Sequence, residues 1–257
     1  MKQRIITAAI MIAIIFPILY FGGIAFKILA ALACIGASWE IMKLFKESWS
    51  ENFKLICYVM TLALTFSSSF GLNYYIICAV VMLIVLFGWL VFDEKINLEQ
   101  IGLYYMISNI IALMLTGIMR MYDYTSACMF MVVLGVVMTD SGAYFSGRAL
   151  GRHKLNPRIS PNKTIEGAIG GYLAGAITTI VFGLLLVKGL PANYIIVLGL
   201  TMPLVSQIGD LAFSAIKRHY DVKDYSNLFP GHGGILDRID SVSFSCMWAY
   251  ALMVVML

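Results

Sequence analysis

Long apolar runs, broken by short polar stretches, fill most of the chain. Nine of them, at about 5–21, 24–44, 53–70, 74–92, 101–119, 126–145, 167–187, 193–215 and 241–257, approach the roughly 20 residues that a helix needs to cross bilayer hydrocarbon. The first follows Lys2 and Arg4 but lacks a small-residue cleavage site, so it reads as a retained helix rather than a signal peptide. The pattern predicts an all-α, polytopic membrane protein with about nine transmembrane helices.

Positive charge orients those helices. With the N-terminus cytoplasmic, the inner segments hold Lys2, Arg4, Lys43, Lys46, Lys54, Lys95, Arg148, Arg152, Lys154, Arg158, Lys163, Lys217, Arg218, Lys223 and Arg238, which is 15 of the 18 basic residues. The outer connections, at about 21–23, 71–73, 120–125 and 188–192, hold only Arg120 and Lys188, and Lys27 sits near an outer helix end where it can snorkel. One helix more or fewer in the middle removes the asymmetry, so nine spans with the N-terminus in and the C-terminus out are expected together. The outer connections are too short for an external domain, and the chain shows no internal repeat of the transporter kind. It divides into an N-terminal membrane region, 1–125, with about five spans, and a C-terminal region, 126–257, with about four. The second region carries two long polar segments, 146–166 and 216–240, both on the cytoplasmic side.

Composition agrees with that picture. Of 257 residues 61% are hydrophobic and 12% charged, against about 25% charged in soluble domains, and the mean hydropathy is +0.88. A soluble globule, a disordered chain and a disulfide scaffold are excluded. Cys34, Cys57, Cys78, Cys128 and Cys246 each stand alone in an apolar run without zinc spacing, and read as small buried residues.

Acidic residues at the spans are expensive in lipid and point to cavities or partners. Glu40, near the inner end of the second run, is accounted for by an i,i+3 surface pair with Lys43. Asp140, one turn from the inner end of the sixth run, and Asp210, on the eighth, have no such simple account. Ser206, Asp210, Ser214 and Lys217 fall on one helix face, a polar stripe on an apolar helix. Asp237 and Asp240, three apart, share a face if that stretch is helical. They are either a solvated helix start or carboxylates held together by a cation such as Mg²⁺.

The polar segments have the composition of phosphate-binding loops. Residues 214–240, SAIKRHYDVKDYSNLFPGHGGILDRID, put basic, glycine and acidic elements into one stretch. Lys217, Arg218 and Lys223 supply charge, and Gly233 and Gly234 allow close backbone approach to a phosphate. His232 could contact phosphate, orient a metal-bound carboxylate or cap the turn. Residues 139–167, TDSGAYFSGRALGRHKLNPRISPNKTIEG, add two Gly-Arg pairs, and Ser160–Thr164 reads as the start of a helix with Pro161 in its first turn. Glu166 falls just inside the next span.

The ordered pattern S-A-I-K-R-x4-K-D-x-S-x2-F-P-x-H-G-G-I-x-D-R-I-D, from Ser214 to Asp240, resembles the signature of the phosphatidate cytidylyltransferase (CDP-diacylglycerol synthase) family, as do TDSGAY…GR…GR…ISPNKTIEG and SQIGDLAFSAIKR. The likeness covers about 139–240, and the earlier spans agree in hydropathy only. Asn162, Tyr225-Ser226, Phe229 and Thr139 depart from the usual pattern and bear on fine substrate contacts. The resemblance implies that CTP and phosphatidic acid give CDP-diacylglycerol and diphosphate, in a multi-span helical homodimer of the cell membrane, with Mg²⁺, and that a monovalent cation such as K⁺ takes part. It implies Asp210 and Asp237 as metal ligands, with Asp240 and Lys217 in the same catalytic group. Arg218, Lys223, Asp224, His232, Gly233, Gly234 and Arg238 are expected on the nucleotide and its phosphates, and Ser160 and Lys163 on a substrate head. Asp140 and Glu166 are expected to orient those cations or line the cavity. No nucleic-acid partner is expected. The competing expectations are a CTP-dependent transferase acting on an isoprenoid or ether lipid phosphate, and a transporter of anionic lipid. The D-G-x2-A-R pattern of CDP-alcohol phosphotransferases is absent.

Overall fold

The computed structural model describes residues 2–45 and 49–257, with side chains except at 2–6, 8, 9 and 12. Lys46 and the side chains of Lys2 and Arg4, which enter the charge asymmetry, lie outside what is described. Among the described residues the chain forms nine helices and one small hairpin: α1 (Lys2–Phe21), α2 (Gly23–Leu44), α3 (Glu51–Ser67), α4 (Leu72–Phe92), α5 (Leu98–Tyr124), α6 (Ser126–Leu150), β1 (Lys154–Asn156), β2 (Ser160–Thr164), α7 (Ile165–Leu186), α8 (Ala192–His219) and α9 (Leu236–Met256). Seven of them, α2 and α4 to α9, are long and apolar enough to cross a membrane. The chain is thus an all-α polytopic membrane protein, as its apolar runs predict.

The distribution of side chains is that of a protein dissolved in lipid. Ile76, Ile77, Val80, Ile84 and Val91 of α4 are exposed, as are Ile169, Leu173 and Ile177 of α7. Ser38, Thr61, Thr65, Thr139, Ser206, Ser243 and Ser245 are buried instead. Between helices in lipid the hydrophobic effect provides little attraction, so close packing and hydroxyl contacts such as those of Thr61 and Thr65 with neighbouring helices hold the interior.

The chain forms two compact units, 1–116 with 224–237 and 117–223 with 238–257. In the first, α2 packs on α1 and α3, and α3 on α4. Phe53 lies between Trp49 and Trp89, with ring centroids 4.6 and 4.7 Å away. Thr61 of α3 meets Tyr104 and Ser108 of α5 through hydroxyl contacts of 3.0 and 3.1 Å, and Thr116 donates to Ser68 at 2.7 Å.

In the second unit α6 and α7 run together along a seam of glycines and small side chains. A Cβ on Gly142 would lie 2.6 Å from the Ala174 Cβ, and one on Gly171 would lie 2.6 Å from the Thr139 carbonyl oxygen. α7 also packs on α8, and Trp248 Nε1 of α9 donates to Thr201 Oγ1 of α8 at 2.7 Å.

Ser160–Thr164 is not the start of a helix. It is strand β2, antiparallel to β1, with Lys154 opposite Thr164 and Asn156 opposite Ser160. Proline biases the residue before it toward extended backbone, and a two-stranded sheet has open edges on which proline is tolerated. The helix begins at Ile165, because Thr164 is its N-cap and accepts from Gly167 N at 3.1 Å.

Candidate active site

In the second unit α6, α7, α8 and both strands of the hairpin meet around a cavity of about 470 Å³. α6 brings Asp140, Tyr144 and Arg148, β2 brings Asn162, Lys163 and Thr164, and α8 brings Gln207 and Asp210. Lys163 Nζ forms an ion pair with Asp210 Oδ2. Ser214, one turn further along α8, donates to Asp210 Oδ1 at 3.4 Å, which joins two members of the polar stripe read from the sequence. Asp140 lies in the field of Asp210, Lys163 and Arg238. Asp240, in α9, lies in that of Asp210, Lys217 and Asp140. Three carboxylates and three cations therefore share one electrostatic neighbourhood, in a protein whose composition otherwise avoids charge. A cavity of this size is in the range that holds a small-molecule ligand.

The remaining predicted residues of this unit surround that centre. Lys217 is buried in the last turn of α8. Arg218 donates to the Val222 carbonyl oxygen at 2.8 Å and to that of Ile159 at 3.4 Å, bracing the loop after α8 and the hairpin. Ser160 is half-buried in β2, and Lys223 and Arg238 are exposed. Glu166 does not line the cavity. Its carboxylate accepts from Arg152 N at 3.0 Å and His153 N at 3.2 Å, and lies 2.6 Å from His153 Nδ1, which fastens the hairpin to the first turn of α7. Gln207, three residues before Asp210 in SQIGD, lines the cavity and donates to the Ala168 carbonyl oxygen at 3.1 Å. An amide on an apolar helix carries no distinctive signal in the sequence, so only the fold reveals it.

The glycine-rich part of the signature, 224–237, belongs to the first unit. Gly231 and Gly233 both have φ of 79°, the left-handed region open to glycine. Asp237 is buried, and its Oδ2 accepts from Tyr225 N at 2.8 Å and Gly234 N at 2.9 Å. His232 Nδ1 is buried without a hydrogen-bond partner among the described residues, and Asp224 is exposed.

Glu40 is not a surface residue paired with Lys43. It is fully buried, and its carboxylate accepts from Ser226 Oγ at 2.7 Å, Ile235 N at 2.8 Å and Leu236 N at 2.8 Å. Lys43 instead lies over the Trp39 ring, 5.1 Å from its centroid. Helical spacing allows the i,i+3 pair, but it cannot reveal that a segment almost two hundred residues later presents a row of donors.

Among the described residues no group of three or more His, Cys, Asp and Glu side chains forms a ready-made metal cage. The donors present are hard carboxylate oxygens with cations beside them. That set fits Mg²⁺, which binds through one or two carboxylates, water and substrate phosphates rather than in an all-protein cage.

A model of the cytidylyltransferase family matches residues 2–256. The chain is 31% identical over 262 residues to a phosphatidate cytidylyltransferase of Bacillus subtilis (strain 168), covering 98% of this chain and 97% of the relative. It is 33% identical over 250 residues to that of Staphylococcus haemolyticus (strain JCSC1435), with 95% of each chain covered. It is also 33% identical over 252 residues to that of Staphylococcus aureus (strain COL), again with 95% of each chain covered.

Proposed function

The chain belongs to the cytidylyltransferase family, and on that premise we propose how its residues make CDP-diacylglycerol and diphosphate from CTP and phosphatidic acid. It is a nucleotidyltransferase of phospholipid biosynthesis embedded in a membrane by its apolar helices. The observation that carries the site assignment is the cavity holding Lys163 paired with Asp210, walled by membrane-spanning α6 and α8.

A phosphate oxygen of phosphatidic acid attacks the α-phosphorus of CTP. A new phosphorus–oxygen bond forms, the α–β phosphoanhydride bond breaks, and diphosphate leaves with its electron pair. The attacking oxygen is already anionic, so the work is to bring anions together and hold them in line. Lys163 and Ser160 hold a substrate head, and Lys217, Arg218, Lys223 and Arg238 take the phosphates of CTP. Asp140 and Gln207 keep the cavity wall polar, and Glu166 holds the hairpin that presents Lys163. Asp224, His232, Gly233 and Gly234 contribute loop contacts to the nucleotide. Asp210 in one unit and Asp237 in the other are each proposed as a Mg²⁺ ligand, with Asp240 supporting. The metal, when bound, supplies positive charge that neutralises the phosphates. The acyl chains stay in lipid while the headgroup enters the cavity.

The proposed arrangement has nine spans, N-in and C-out, because 15 of 18 basic residues then face the cytoplasm, where CTP is. This places the reaction, and the catalytic region 126–257, at the inner face of the cell membrane. A homodimer is proposed with it.

Detergent-purified protein given CTP labelled at the α-phosphate, Mg²⁺ and phosphatidic acid should form labelled CDP-diacylglycerol and release diphosphate. Replacing Mg²⁺ or K⁺ in the same assay reads the ion requirement. Product only when an isoprenoid phosphate replaces phosphatidic acid would overturn the substrate assignment, and no CTP turnover with any lipid phosphate would overturn the enzyme.

A further inference from the structure

The loop 224–237 contains neither helix nor strand until α9 begins at Leu236, and its own backbone bonds are few. Phe229 N donates to the Gly233 carbonyl oxygen at 2.9 Å, and His232 N to that of Phe229 at 2.8 Å. Three consecutive amides, of Gly234, Ile235 and Leu236, then need acceptors where a helix starts and none lies within it. Two buried carboxylates meet them. Asp237 takes Gly234 N, and Glu40 takes Ile235 N on Oε1 and Leu236 N on Oε2. Glu40 Oε1 also receives the Ser226 hydroxyl, whose oxygen accepts from Leu228 N at 3.2 Å.

The two glycines make this possible. A Cβ on Gly234 would collide with the Glu40 carboxylate, and one on Gly233 would lie 2.6 Å from Asp237 Oδ2. Gly36, one turn before Glu40 on α2, likewise leaves room for the Ile235 side chain, which a Cβ there would strike. The G-G-I-x-D part of the signature is therefore shaped on its inner side by α2.

We propose that Glu40 is a positioning residue for the transfer reaction: from α2 it acts as a remote N-cap for α9 and fixes the loop that carries His232 and Asp237. This rests on the functional reading above and extends it, because it gives the N-terminal helices a part in the chemistry beyond anchoring. A carboxylate is required because all three partners are donors. Glutamine turns one acceptor oxygen into an NH₂ group facing another donor, and aspartate is one methylene too short. A carboxylate at the positive end of a helix is also favoured by the helix dipole.

The test compares full-length Glu40→Gln, Glu40→Asp and Ser226→Ala with wild type, purified and checked for thermal unfolding. Amide hydrogen exchange should accelerate at Ile235 and Leu236 in Glu40→Gln, with the helices of 117–223 unchanged. That readout does not depend on substrate, so it stands even if the wild type proves inactive on phosphatidic acid, which would count against the functional reading instead. In the active enzyme, kcat/KM should fall about ten- to a hundredfold, the loss typical of misplaced reacting groups. The Mg²⁺ concentration for half-maximal rate should rise, and the thermal shift produced by Mg²⁺ with CTP should shrink. Glu40→Asp should not rescue, and Ser226→Ala should move the same quantities less. Unchanged exchange at Ile235 and Leu236, or a normal Mg²⁺ response in a folded Glu40→Gln enzyme, would overturn the proposal. If Glu40→Gln does not fold, a normal Mg²⁺ response and normal thermal shift in Ser226→Ala would overturn it.

Discussion

Lys163, on strand β2 of the hairpin, forms an ion pair with Asp210 of α8 at the wall of the cavity. Both side chains are partly exposed, at 32% and 26%, so a substrate phosphate can reach them and compete for the lysine. Lys163→Met should therefore lower kcat/KM by about two to three orders of magnitude, as loss of a charge-stabilising group does, while leaving thermal unfolding in detergent near that of wild type. Steady-state kinetics over both substrates measures this, and a rate within about threefold of wild type would remove Lys163 from the mechanism.

Glu166 should act through the hairpin rather than on substrate. Glu166→Gln weakens the acceptor for Arg152 N and His153 N and breaks the contact with the His153 ring. Limited proteolysis within 151–164 should speed up, and KM for the substrate held by Lys163 should rise more than kcat falls. Equal protease resistance in the variant and wild type would show that the clamp has no such role.

Gly171→Val should separate α6 from α7. The added side chain meets the Thr139 carbonyl oxygen and the Ala143 Cβ, and overpacking of this kind typically costs about 1–3 kcal/mol. The midpoint of thermal unfolding should fall, and activity should fall with it because α6 carries Asp140. A wild-type midpoint would contradict the close packing of the seam.

Thr164→Ala should remove the N-cap of α7 and cost about 1 kcal/mol. The same residue packs against Gly147 and Gly151, so Thr164→Ser, which keeps the hydroxyl, should recover most of the loss. Equal stability of the alanine and serine variants would assign the effect to packing alone.

The helices were legible because lipid imposes one rule on every span: about 20 apolar residues with their backbone bonds satisfied internally. Asp140 and Asp210 were legible for the complementary reason, since charge in such a span needs a partner. The hairpin escaped notice because β1 has three residues and β2 five, too short for periodicity to separate from a helix start. Glu40 escaped because its meaning depends on donors at Ser226, Ile235 and Leu236. Local spacing offered Lys43 as a sufficient partner, and tertiary structure chose another.

In the proposed mechanism Asp210 is indispensable to nucleotidyl transfer and not merely a counter-ion for Lys163. The most direct measurement is CDP-diacylglycerol formation by purified Asp210→Asn, alongside Asp237→Asn, across a wide Mg²⁺ range, with insertion and thermal unfolding checked on the same samples. The expected result is a pair of folded, membrane-inserted variants that make no product at any Mg²⁺ concentration. Product formed by Asp210→Asn at near the wild-type rate would contradict it.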